Sequence, residues 1–288
     1  MDAEVDDDGL LAAAMALAGR RVCVLGGAGV STRSGIPDYR GDARRRAAPR
    51  QPLRIDAFVG SPAMRQRYWA RAYRGWPRIR DAAPNAAHDA VTRLERAGRL
   101  AGLVTQNVDG LHQRAGASDV IELHGALRVV VCLACGDRTD RDDVQRRLES
   151  ENGPLDRPLD RAGGGSDATG AAPDGDTDLD DEAVARFVVV ACARCGGVLK
   201  PDVVFFGENV AAHVRIAAED AVRRAEALLV IGTSLEVLSG RRLVAQAFAS
   251  RTPVVVVNRG PTRADELATV RLDGDVTAIL PSLLPQAR

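Results

Sequence analysis

Four of the five cysteines come as two C-x-x-C pairs, Cys132 and Cys135 in "CLAC" and Cys192 and Cys195 in "CARC". Each pair can set two thiolates about 2.3 Å from one ion, and two pairs complete a closed tetrahedral zinc site with no open position for catalysis. One structural zinc per chain is therefore expected. A redox dithiol is the competing chemistry. The 56 residues between the pairs exceed the roughly 15–20 of a usual zinc ribbon. A longer loop adds closure entropy only logarithmically, so the excess is tolerable. Cys23 lies inside an apolar run and reads as a buried core residue.

A second set of residues is polar and glycine-rich. "GGAGVSTRSGIPDYRG", residues 26–41, follows the apolar "RVCVLGG". Gly27 and Gly29 suit a tight turn whose N–H groups approach a diphosphate, although a turn that only needs positive φ uses the same residues. A hydride-transfer fingerprint also wants a third glycine three residues on and an acid about 20 residues later. Here Thr32 takes the third position, and "SGIPDYRG" is no strand. The loop reads instead as one that folds over a bound cofactor. "TQNVDGLHQRAG" follows "LAGLV" and puts Gln106, Asn107 and Asp109 where a ribose or carboxamide would lie; an Asx-rich turn capping a helix explains them equally. His124, in "IELHGAL", could act as a base near neutral pH or be structural. "KPDVVFFGE", residues 200–208, offers an extended "VVFF" that could present an edge to a peptide or serve as a core strand. "GTSLEV" (232–237) and "NRG" (258–260) each end an apolar run with groups suited to an adenosine.

Something must bring these loops together. Runs of strand length at "RVCVLGG", "LAGLVTQN", "ALLVIGTS", "PVVVVN" and "TVRL" lack strict alternation, as in strands buried on both faces. Between them "NAAHDAVTRLERAG" reads as a helix with Asn85 as N-cap and Gly98 just past its end; "EDAVRRAEA" and "GRRLVAQAFAS" read likewise. Strands alternating with helices imply an α/β fold, a doubly wound parallel sheet. Two segments break the rhythm. Residues 41–80 are Arg- and aromatic-rich and helical in pattern, and 126–199 hold both cysteine pairs. The organisation expected is a main domain from 1–40, 81–125 and 200–288, and a small module from 41–80 and 126–199. Residues 150–183 contain too little apolar surface to offset their ordering entropy and read as a disordered loop.

Net charge is zero over 288 residues, so no global field recruits nucleic acid, and no direct nucleic-acid partner is expected. The zero hides segregation: twelve arginines against two acids between Arg40 and Arg80, and ten acids against two arginines between Glu151 and Glu182. A GC-rich coding sequence accounts for the arginines, since Lys200 is the only lysine. No run approaches the roughly 20 apolar residues of a membrane span. The acidic "MDAEVDDDGLL" is unlike a secretory or transit leader, and few cysteines outside the pairs fit a reducing compartment. A cytoplasmic, monomeric protein is expected.

Taken jointly and in order, "GAGVSTRSGIPDYRG", "TQNVDGLH", "ELHG", the two C-x-x-C pairs, "KPDVVFFGE", "GTSLEV" and "VNRG" resemble the sirtuin motif set. The resemblance runs from about Leu17 to Leu284 apart from the acidic insert. "RYWARAYRGWP" further resembles the class II branch, whose vertebrate member is a mitochondrial sirtuin with lipoamidase, deacylase and ADP-ribosyltransferase activities. The resemblance implies a Rossmann-like NAD-binding domain with a smaller zinc-ribbon and helical module. It also implies an enzyme that removes acyl groups from protein lysines, consuming NAD and releasing nicotinamide and O-acyl-ADP-ribose. Gly27, Ala28, Gly29 and Ser31 would cradle the phosphates. Ile36, Pro37, Asp38 and Tyr39, with Gln106, Asn107, Val108 and Asp109, would line the nicotinamide pocket, and Arg40 would support that loop. Gly232, Thr233, Ser234, Asn258, Arg259, Gly260 and Val276 would hold the adenosine side. His124 would be the general base on the ribose, assisted by Asn107 and Asp109. Val203, Val204, Phe205, Phe206 and Gly207, with Leu235, Glu236 and Val237, would take the acyl-lysine peptide as an added strand.

Three positions depart from the family pattern. Gly26 stands where Thr or Ser is usual, Ser239 where a proline often follows "GTSLxV", and Val276 where a small residue or cysteine commonly meets adenine. No Tyr and Arg pair of the desuccinylase kind follows "DYRG", so a dedicated preference for acidic acyl groups is not expected, while longer or lipoyl-type chains are compatible. Two other functions fit the same pocket: mono-ADP-ribosyl transfer to protein, and an NAD- or ADP-ribose-sensing module without turnover.

Overall fold

The computed structural model describes residues 7–38, 53–153, 179 and 181–284. Most of the acidic insert, together with Tyr39 and Arg40, lies outside the described residues. Among the described residues nine strands follow in chain order: β1 (Val22–Gly26), β2 (Leu100–Thr105), β3 (Val120–Glu122), β4 (Gly125–Cys132), β5 (Arg138–Asp140), β6 (Leu199–Val203), β7 (Ala227–Ile231), β8 (Val254–Asn258) and β9 (Val270–Asp273). They form a six-stranded sheet in the order β3-β2-β1-β7-β8-β9 and a three-stranded sheet in the order β5-β4-β6. The chain divides into two compact units. The first takes the described residues within Met1–Gly35, Ala82–His124 and Val210–Arg288, and the second those within Ile36–Asp81 and Gly125–Asn209. Among the described residues no helix is long and apolar enough to cross a membrane.

The first unit is the doubly wound α/β sheet expected. All its strand pairs are parallel, and β1, β7 and β8 are buried at every residue. Alternate residues face opposite layers, as the two-residue strand period requires. Val22, Val24, Leu229, Val255 and Val257 pack against the helices Asp7–Leu17, Ala86–Arg96 and Val276–Leu283. Cys23, Leu25, Val230, Val254 and Val256 pack against Ala212–Arg224 and Leu238–Ala249. Cys23 is fully buried, and that burial pushes its thiol up to about 12. Strand order reverses between β1 and β7, so the loops leaving these two strands open at the switch point where α/β sheets bind ligands.

The helix Ala86–Arg96 has the caps read from sequence. Asn85 Oδ1 accepts from the Ala87 N–H at 3.0 Å, His88 Nδ1 accepts from the Asn85 N–H at 3.2 Å, and Gly98 takes φ +67°. The His88 ring meets the His112 ring at 4.8 Å between centroids, and both are essentially buried. Burial drives His88 down to about 4 and, with a further push from His88, His112 to about 3. Both folded values lie below the ordinary value near 6.5, so the unfolded chain binds more protons in between. This stability is fully present above about pH 6.5 and is lost as pH falls toward the folded values, at up to about 1.4 kcal/mol per pH unit for each ring. Urea unfolding at pH 7, 6 and 5 should show that loss, and His112→Leu should roughly halve its slope; an unchanged slope would refute the assignment.

The second unit is antiparallel. β4 pairs with β5 and with β6 across an irregularity between Ala126 and Val130. The Arg-rich stretch is helical, as expected, in Ile55–Gly60 and Pro62–Asp81. Trp69, Tyr73 and Trp76 turn inward. Pro77 lies inside the second of these helices and cannot donate to the carbonyl four residues back. That carbonyl belongs to Tyr73 and accepts instead from Gln145 Nε2 at 3.1 Å. Arg141 lies between the two indoles, its guanidinium carbon 5.4 Å from the Trp69 ring and 5.1 Å from the Trp76 ring. The segment read as disordered begins and ends in helix, since Arg141–Asn152 and Asp181–Arg186 run into it from either side. Lys200, on β6, is 5 % exposed: its Nζ meets the Val203 carbonyl at 2.6 Å and Glu208 Oε2 at 2.9 Å, and lies 4.7 Å from the Phe205 ring.

Candidate functional site

At the switch point the two loops interlock through their backbones. The Gly27 N–H donates to the Ile231 carbonyl at 3.1 Å and the Gly29 N–H to the Gly232 carbonyl at 2.8 Å. Gly232 takes φ +56°, and a Cβ there would sit 2.5 Å from the Val30 nitrogen. Neither Gly27 nor Gly29 has positive φ, so the turn is not one that merely needs it, and both N–H groups donate to protein carbonyls. Ala28, between them, keeps an N–H that enters neither bond. The glycines are needed for the close approach of the neighbouring loop.

Below this turn runs a buried polar chain. Asn107 Nδ2 donates to Ser31 Oγ at 3.0 Å, and Ser31 Oγ donates to Asp109 Oδ2 at 2.7 Å. Asp109 Oδ1 also accepts from the Leu111 N–H at 2.9 Å, and the Asn107 N–H donates to Thr105 Oγ1 at 3.1 Å. Burial pushes the Asp109 carboxyl above its ordinary value, against the pull of the Leu111 and Ser31 hydrogen bonds. Asp109 thus bonds the first N–H of the short helix Leu111–Arg114, as an Asx turn does, while Asn107 and Ser31 form a fixed polar wall. Val108 is half-buried beside them.

Gln106 ties this wall to the loop after β7, its Nε2 donating to Thr233 Oγ1 at 3.0 Å. Thr233 Oγ1 accepts as well from the Leu235 N–H at 3.1 Å. Leu235 is buried and takes φ +55°, a left-handed conformation that costs a leucine about 1–3 kcal/mol. Its residue type gives no hint of this. Ser234 is half-buried, while Glu236 and Val237 are exposed.

Asn258 Nδ2 donates to the carbonyls of Arg259 and Gly260, each at 3.0 Å, and Asp273 Oδ1 accepts from the Gly260 N–H at 2.9 Å. Val276 is buried at the start of its helix. Sequence reasoning missed Arg33 and Asp275: Arg33 Nε lies 2.8 Å and Arg259 3.6 Å from the Asp275 carboxylate, which also caps the helix Val276–Leu283.

His124 follows β3. Its Nδ1 lies 3.0 Å from the Gln106 carbonyl, and its Nε2 lies 2.8 Å from Ser239 Oγ. A carbonyl only accepts, so Nδ1 carries the proton and Nε2 presents a lone pair. Burial holds the imidazole below its ordinary value, with the Gln106 bond acting the other way. His124 is therefore neutral and basic at pH 7. These donors, acceptors and basic nitrogen, all at strand ends of one unit, fit a dinucleotide.

In the second unit the four cysteines converge, and their Sγ atoms all lie within 4.8 Å of one another. Cys132 and Cys195 are 3.5 Å apart, Cys135 and Cys192 3.9 Å. A tetrahedron with bonds of 2.3 Å has edges of about 3.8 Å. Each pair sits in a turn closed by a glycine at positive φ, Gly136 at +72° and Gly196 at +73°. A Cβ at Gly197 would lie 2.9 Å from the Cys132 sulfur, so that glycine clears the space for the thiolates. The set fits one zinc ion.

The remaining expected residues are also in this unit. Ile36 is buried, and Pro37 and Asp38 are half-buried. The extended segment is Leu199–Val203 rather than "VVFF". Val204 and Phe205 follow it, Phe205 buried against Phe58 and Tyr68. Phe206 is half-exposed, and its carbonyl accepts from the Ile55 N–H at 3.0 Å. Gly207 turns the chain at φ +88°.

The Sir2 family model matches residues 27–239. The chain belongs to the Sir2 family. This sirtuin is 48 % identical over 264 residues to "NAD-dependent protein deacetylase 1" of Mycobacterium avium, covering 92 % of this chain and 90 % of that one. It is 44 % identical over 269 residues to "NAD-dependent protein lipoamidase sirtuin-4, mitochondrial" of Bos taurus, covering 93 % and 82 %. Among solved structures, a Sir2 enzyme described in work on mechanism and regulation superposes with a TM-score of 0.73 at 28 % identity over 97 % of both chains. Sir2Tm bound to a propionylated peptide does so at 0.70, with 30 % identity over 93 % of both chains.

Proposed function

We propose that this sirtuin is an NAD-dependent protein lysine deacylase and that His124 is its general base. The observation that carries the reading is the fixed tautomer of His124, whose Nδ1 proton is held by the Gln106 carbonyl while Nε2 is left to accept. The relatives' names, deacetylase, deacylase and lipoamidase, support the reaction class. NAD supplies a glycosidic bond whose cleavage releases nicotinamide. The protein's part is to hold and to move a proton. Ala28 and Thr233, in the switch-point loops, and Asn258, at the end of β8, would bind the dinucleotide. The Asn107–Ser31–Asp109 chain keeps one wall from rearranging, and His124 Nε2 takes a proton from a ribose hydroxyl. The four cysteines would hold a structural zinc, which would supply no chemistry to the reaction.

In the same reading the protein acts as a cytoplasmic monomer on acyl-lysine segments and binds no nucleic acid, which zero net charge supports. The test is nicotinamide release by purified protein with NAD, across lysine peptides bearing acetyl, succinyl, long-chain and lipoyl groups. Release that requires one acyl class supports deacylation. NAD binding with no release on any peptide, or label from NAD retained on an acceptor protein, would overturn it in favour of sensing or ADP-ribosyl transfer.

A further inference from the structure

We propose that Ser239 guards His124: its hydroxyl occupies Nε2 in the free protein and yields that position to the substrate hydroxyl that His124 deprotonates. The inference rests on the reading of His124 as the base. It goes further by giving a role to a residue outside the motif set.

The geometry leaves little choice of roles. Nδ1 donates to the Gln106 carbonyl at 3.0 Å, so the neutral ring has a single in-plane lone pair, on Nε2. Ser239 Oγ lies 2.8 Å from that atom and is its donor. One lone pair cannot take two hydroxyl protons, so the ribose hydroxyl and Ser239 compete for it. Ser239 is the second residue of the helix Leu238–Ala249, and the next residue, Gly240, brings this turn onto Gln106. A Cβ at Gly240 would lie 2.8 Å from Gln106 Oε1. The turn that carries the guard is thus pressed on the residue whose carbonyl holds the other ring nitrogen. The imidazole is pinned at both nitrogens, with its plane and tautomer set before any ligand arrives.

Among the described residues no ionised side chain enters the balance at His124. Burial lowers its basicity and the Gln106 bond raises it, and the Ser239 bond adds a preference for the neutral form. Ser239 is thus a positioning residue that acts through His124.

The test is Ser239→Ala, a change that a partly exposed position in a first helical turn should accommodate without unfolding. NMR titration of His124 in the free protein needs no turnover. Its midpoint should rise by about half to one pH unit, the equivalent of one neutral hydrogen bond. The acid limb of kcat/KM, which reports the free enzyme, should move up with it, while that of kcat should stay in place because Ser239 has already yielded in the complex. KM for NAD should fall about 2- to 5-fold. Ser239→Thr should restore the wild-type profile. An unmoved midpoint would overturn the proposal. So would a fall in kcat of tenfold or more with its limb displaced, since that result puts Ser239 in the proton path itself. Failure of the base assignment is separate: full turnover in His124→Ala would remove that reading, and the NMR titration would still decide whether Ser239 holds Nε2.

Discussion

Replacing His124 with alanine is expected to lower deacylation turnover about 10²- to 10⁴-fold, the range a positioned general base contributes, while melting changes by only a few degrees. The two halves of this expectation have different causes. The imidazole makes two hydrogen bonds, to the Gln106 carbonyl and to Ser239 Oγ, and stands at a strand end outside both apolar layers of its unit. Losing a half-buried ring there removes little packing. Losing Nε2 removes the group proposed to take the proton. Its basicity is also placed for the task, since burial holds His124 below its ordinary value and keeps it unprotonated at pH 7. Wild-type kcat/KM should therefore fall only on the acid side of about pH 6.5, and the variant's residual rate should lose that limb. Unchanged turnover in a folded His124→Ala protein would refute the assignment.

The second large effect is expected in the other unit. Metal analysis should find one zinc per chain, and removing it should unfold the antiparallel unit. The reason is where the ligands sit: Cys132 and Cys192 belong to the same buried cluster as Trp69, Tyr73, Val130 and Leu148. Without a cation the four thiols must share protons at contact distance. The Cys135 backbone pulls Cys132 down to about 6, while the Cys135 side chain pushes Cys195 up to about 12. A divalent ion removes that conflict by binding all four as thiolates. Structural zinc in small domains binds with an apparent 10–16 kcal/mol, comparable to the total stability of a typical domain. Both tryptophans of the chain, Trp69 and Trp76, lie in this unit, so their fluorescence reports on it alone. A strong chelator, or Cys192→Ala, should shift that emission toward the solvent-exposed value and abolish one equivalent of zinc. Zinc-free protein with native emission and an unchanged melting point would show that the cysteines do not depend on a metal.

The parallel sheet was legible because burial on both faces leaves a mark in composition. Val254 to Val257 could hardly be anything but an inner strand, and Asn85 and Gly98 bracket their helix by chemistry that needs no tertiary context. The antiparallel sheet left no such mark: β4 mixes buried, half-buried and exposed positions irregularly, and β5 is only three residues long. The helix Asp7–Leu17 was hidden in a stretch notable for its acids, and the ends of the insert for its polarity. At the site, Asn107, Asp109, His124 and the cysteines were found because their types and spacing carry chemistry. Ser239, Arg33 and Asp275 acquire meaning only through partners far along the chain, 115 residues in the case of Ser239 and His124. The Gly27–Gly29 turn was legible from its glycines, while its packing against Gly232 depends on a loop two hundred residues away.

Lys200 has one more consequence. It is the only lysine, and its amine is enclosed by Val203, Glu208 and Phe205. Reactive acyl donors modify exposed ε-amines, and this surface offers them none. An enzyme that reads acyl marks on other proteins thus carries no accessible lysine on which such a mark could be written. Its activity is insulated from the chemical signal it erases.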